Sequence, residues 1–75
     1  MTPLLDVRGL PPCEPFDRIM AALDVLPAGA VQEVLIHREP VPLYDWLRDN
    51  GFAWKGGPEP AADGGTQYRF FIRQA

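Results

Sequence analysis

Serine is absent from this 75-residue chain, and cysteine and histidine occur once each, as Cys13 and His37. Without serine there can be no serine triad, and one histidine is a poor basis for a metal centre. A single cysteine excludes an internal disulfide, so any thiol exchange needs another protein or a small thiol. No apolar stretch approaches membrane-spanning length, and Leu4-Leu5 is cut short by Asp6 and Arg8 before it can form a secretory hydrophobic segment. The expected compartment is therefore the cytoplasm, with the thiol reduced. There is no run of basic residues either. Arg8, Arg18, Arg38, Arg48, Lys55, Arg69 and Arg73 are scattered, and the net charge is -3. Neither nucleic acid nor a membrane is the expected partner. The glycine pairs Gly56-Gly57 and Gly64-Gly65 lack the Lys-Ser/Thr of a phosphate loop and read as turn residues.

What is present is a globular composition, 47% apolar and 23% charged. The length suits one small domain, residues 1–75, whose modest core gains from pairing with something else. Leu4 to Val7 reads as a short strand, ended by Gly9 and the prolines that follow. Pro15 suits a first helical turn because it has no N–H to lose there. Phe16, Ile19, Met20, Leu23 and Leu26 then recur at helical spacing, and Pro27-Ala28-Gly29 closes the helix. Val31 to Ile36 carries apolar groups on both faces, Val31 and Leu35 on one and Val34 and Ile36 on the other, which predicts an inner strand. A second helix is expected from Pro42 to Asn50, with Gly51 as its left-handed stop. Phe52 and Trp54 begin a third strand, and Gly56 to Gly65 reads as a mobile loop or a long hairpin connection. In the last strand, about Gln67 to Arg73, Tyr68, Phe70 and Ile72 should face the helices. Gln67, Arg69, Phe71 and Arg73 should be wetter, and Phe71 breaks that polar set. The expected fold is α+β: a two-layer α/β sandwich in the order β-α-β-α-β-β, with a four-stranded mixed sheet and two helices on one face.

Leu5-Asp6-Val7-Arg8-Gly9-Leu10 followed by Glu14-Pro15 resembles the opening of the TusA/SirA-like sulfur carriers. There a strand leads through a Gly-Leu-x-Cys-Pro-x-Pro loop into a helix. The resemblance implies the same sandwich fold and a cysteine that passes a persulfide between protein partners. Aligned on Gly9-Leu10 and Glu14-Pro15, the carrier cysteine falls on Pro12 and the proline after it on Cys13. The chain is similar in three places to an uncharacterised branch of that fold, family 2249 of the domains of unknown function. These are Leu5-Asp6-Val7-Arg8, the proline-rich lead into the first helix, and the His37-x-x-Pro40-x-Pro42-Leu43-Tyr44 segment. Such domains occur alone or beside hemerythrin-like modules, which implies a bacterial or archaeal redox, oxygen or nitrogen-oxide setting and names no reaction.

Cys13 has two readings. Where a helix begins, N–H groups can stabilise a thiolate that accepts sulfur or senses redox state. It can equally be a small apolar group packed on Phe16 or under the proline loop. His37 can act as acid or base, ligand contact or interface group, or its ring can cap the second helix or bond its own exit loop. Cys13, Glu14, His37 and Glu39 do not have the spacing of a zinc motif, so no metal and no cofactor are expected. Arg8 or Arg38 could hold an anion or a partner's carboxylate, with an Asp6–arginine structural pair as the alternative. Trp46 or Phe71, if exposed, would mark a docking surface. The leading expectation is a non-catalytic interaction module binding a partner protein, one with a metal centre or a sulfur relay. Persulfide transfer through Cys13, supported by Arg8, His37 and Arg38, is the second. A small-ligand or anion sensor on the same loops is the third. An edge strand near the C-terminus could also pair with a second copy of the chain.

Overall fold

Period-two alternation decides which side of each strand is covered. In the computed structural model, which describes residues 3–11 and 13–75, the elements follow in the expected order. They are β1 (Leu4–Asp6), α1 (Glu14–Asp24), β2 (Val31–Ile36), α2 (Val41–Asp49), β3 (Phe52–Pro60) and β4 (Thr66–Gln74). The strands form one mixed sheet in the order β1-β2-β4-β3. β1 and β2 are parallel, and β4 runs antiparallel to both β2 and β3. β1, β2 and β3 therefore share a direction, and their C-terminal ends meet at one end of the sheet. β2 is an inner strand, as the apolar groups on both its faces predict.

On one face of the sheet, Val34, Phe70 and Ile72 pack with Ile19 and Leu23 of α1 and Leu43 and Leu47 of α2 in a single core. Full burial of such side chains contributes about 1.5–3 kcal/mol each. Aromatic contacts tie α2 to the sheet. Tyr44 stacks on Trp54 at 5.7 Å between ring centroids, and Trp46 stacks on Phe52 at the same separation. Gly51 takes φ +80 after α2, the left-handed stop expected of it. The other face of the sheet carries no helix among the described residues.

Two expectations need correction. Residues 56–60 are not loop: β3 runs to Pro60, and only residues 61–65 connect the hairpin. The ladder explains why the prolines are tolerated. Ala61 N–H donates to the Gly65 carbonyl at one end, and Ala75 N–H to the Gly51 carbonyl at the other. The register between them is one to one. Odd-numbered β3 residues therefore hold the ladder, while Pro58 and Pro60 turn toward the free edge, where no N–H is required. Gly56 takes φ +131, and a Cβ there would lie 2.0 Å from the Arg69 carbonyl oxygen. Glycine permits that close approach.

The second correction concerns Cys13. It is exposed, not packed as a small hydrophobe. It precedes α1 with φ 74 and makes no side-chain capping bond. Its carbonyl accepts the Asp17 N–H at 3.1 Å. A left-handed non-glycine residue costs about 1–2 kcal/mol. Pro12, where the carrier cysteine would fall, lies outside the described residues.

Candidate functional site

Parallel pairing of β1 and β2 places their exit loops side by side. The Gly9 N–H donates to His37 Nδ1 at 3.3 Å. The ring thus braces the first loop and neither caps α2 nor bonds its own exit loop. Arg8 turns back on Asp6, with Nε to Oδ1 at 2.9 Å and Nη2 to Oδ2 at 2.7 Å. That is the structural pair. These hydrogen bonds, and the Arg8 backbone N–H, hold the Asp6 carboxyl down at about 2, and the Arg8 guanidinium is shifted up in turn. With the 61–65 hairpin, these loops border an open cleft of about 620 Å³ that includes Asp6, Arg8, His37 and Asp63. Arg38 is exposed and makes no ion pair among the described residues. Glu14 is engaged by Arg18 of its own helix at 2.7 Å. Among the described residues no cluster of three His, Cys, Asp or Glu side chains could hold a metal ion.

The Asp6–Arg8 pair is one end of a longer chain of bonds across the open face. Arg8 Nη1 donates to Gln67 Oε1 at 3.1 Å, and Gln67 Nε2 to Glu59 Oε2 at 2.6 Å. Arg69 grips Glu59 with Nε and Nη2 at 2.9 and 3.1 Å, and its Nη1 donates to Glu33 Oε2. Arg69, then Gln67, lowers the Glu59 carboxyl, and the two glutamates raise the Arg69 guanidinium. No sequence expectation singled out Glu33, Glu59, Gln67 or Arg69. One signal was available: a glutamate on a strand expected to be an inner one needs a partner.

Beside this network the face is bare. Phe71 is 39% exposed and lies in register between Glu33 of β2 and Lys55 of β3. Arg73 lies in register between Val31 and Ala53. Together Val31, Ala53, Lys55, Phe71 and Arg73 border a hollow of about 260 Å³.

A family model described as an uncharacterized conserved protein, DUF2249, matches residues 4–64. The chain belongs to that family. No curated protein and no solved structure matches it. The DUF2249 match takes in both exit loops, both helices and β3. It stops before β4, so Gln67, Arg69, Phe71 and Arg73 lie beyond the matched residues.

In this DUF2249 chain the two aromatic candidates differ. Trp46 is half-buried, stacked on Phe52 and edge-on to Phe16 at 6.4 Å. It lines a groove with Asp17, Met20 and Asp24 between the helices and is not a free docking ring. Phe71 has no such cover. The structure thus brings Arg8 and His37 to one end of the sheet. It leaves Phe71 on the open face, Trp46 between the helices, and Cys13 at the start of α1.

Proposed function

We propose that this domain is a non-catalytic protein-interaction module that docks through the bare corner of its open sheet face. The observation that carries the reading is Phe71, a large apolar ring left 39% exposed on a face with no helix above it. The loops favour binding over catalysis. Arg8 is held by Asp6 and Gln67, and His37 Nδ1 accepts the Gly9 N–H, so both side chains are engaged in bracing the loops. A sulfur setting rests on the resemblance to the sulfur carriers, and a redox setting on the hemerythrin-like modules beside which similar domains occur. The test is capture of partners by the intact protein. Phe71→Ala should lose them while Cys13→Ala keeps them; a Phe71 variant that retains every partner removes the reading.

One observation favours a second reading, persulfide transfer. The Cys13 thiol is exposed where α1 begins. Its thiolate would attack the outer sulfur of a partner's persulfide, forming a Cys13 persulfide and releasing the partner's thiolate. Alkylation rate against pH, with and without denaturant, and intact mass after incubation with a persulfide donor test this. Fast labelling of the folded protein and one added sulfur support it. Slow, denaturant-dependent labelling with no added mass removes it.

A further inference from the structure

Of the seven basic side chains, Arg8, Arg18, Arg48 and Arg69 are held in ion pairs. Arg38, Lys55 and Arg73 are in none among the described residues. Two of these three flank Phe71. Lys55 is its register partner on β3, and Arg73 lies two residues along β4 on the same face. Both are exposed. In a chain of net charge -3, this corner is locally cationic and apolar.

We infer that this corner receives an acidic segment of a partner protein, one that presents an apolar side chain between two carboxylates. The apolar group fills the hollow against Phe71, Val31 and Ala53, and the carboxylates meet Lys55 and Arg73. This deepens the interaction-module reading and rests on it. Charge complementarity selects the occupant. A second copy of the chain carries the same net negative charge and is repelled at long range. A nucleic acid strand needs a continuous cationic track. Here Glu33 adjoins Phe71 in register, and Asp6 and Glu59 lie further across the same face. A short acidic segment avoids them, because Arg69 and Arg8 already hold those carboxylates.

The experiment titrates the full chain with nine-residue peptides that carry a central leucine between two aspartates, two asparagines or two lysines. Backbone amide shifts are read at 50 and 300 mM salt, and a ten-nucleotide oligothymidylate is run alongside. The aspartate peptide should shift residues 31, 53, 55, 71 and 73 and bind more weakly at high salt. The double variant Lys55→Glu/Arg73→Glu should weaken it about tenfold or more and turn the preference to the lysine peptide. The neutral pair Lys55→Gln/Arg73→Gln, checked for an unchanged fold, should give an intermediate loss. Equal binding of aspartate and asparagine peptides, preference for the oligonucleotide, or self-association through this face overturns the inference. If no peptide binds while Phe71→Ala still loses captured partners, the acidic-segment assignment fails alone. If Phe71→Ala loses none, the interaction reading fails with it.

Discussion

Leu35 and Phe71 stand on the same face of the sheet, on neighbouring strands, yet one is 4% exposed and the other 39%. No helix covers either. Leu35 lies in register between Asp6 and Arg69, both members of the ion network. The aliphatic stems of its arginines can shield a neighbour while their charged ends stay wet. Phe71 lies between Glu33, which reaches away to Arg69, and Lys55, whose side chain is in no ion pair among the described residues. One half of the face is roofed by its own charged side chains, and the other is left open. Polar residues on a sheet face can thus close it as well as solvate it.

The comparison breaks first at Gly56, which sets the β3–β4 approach that both halves share. Gly56→Val forces a Cβ onto the Arg69 carbonyl. It should cost about 3 kcal/mol or more, seen as a lowered denaturation midpoint. Leu35→Ala comes next. If the network truly roofs that half, removing the side chain leaves a cavity costing about 2–3 kcal/mol by urea unfolding. A cost near zero would mean that Leu35 is no better covered than Phe71.

Acidification probes the roof itself. Asp6 sits at about 2 in the folded protein against an ordinary 3.8, so the unfolded chain takes up the proton first as pH falls. The stabilisation is complete above about pH 4 and lost as pH falls through about 2. Glu59, lowered likewise, acts in the same direction. Both Asp6 and Arg8 are more than a third exposed, so the Asp6 share should stay below about 1 kcal/mol. Asp6→Asn should flatten the stability profile between pH 4 and 2; an unchanged slope would place the acid sensitivity elsewhere. The smallest effect belongs to the open half. Phe71→Ala should leave stability within about 0.5 kcal/mol of the parent while abolishing partner binding.

Much of the architecture was legible in local pattern. The spacing of Phe16, Ile19 and Leu23, the alternation through Tyr68, Phe70 and Ile72, and the Asn50-Gly51 stop each depend on residues a few positions apart. The third strand was not legible beyond Trp54, because Gly56, Gly57, Pro58 and Pro60 carry the composition of a loop. They extend as a strand because the ladder asks nothing of the prolines' missing N–H groups, a property of the partner strand. At the site, Asp6–Arg8 was readable as a pair because its members are two residues apart. The Arg69–Glu33 contact spans 36 residues, and no local window contains it.

Periodicity, caps and chain order, all short-range consequences of backbone geometry, specify a sandwich of two helices on a four-stranded sheet. They also specify that Phe71 points away from those helices. Only the tertiary structure decides that Cys13 is exposed, that His37 braces the Gly9 loop, and that Arg69 roofs one half of the open face. Each of these depends on which distant side chains the strand register sets side by side. Phe71 stays 39% exposed on that face, and Arg69, two residues before it on β4, is bound to two glutamates on other strands.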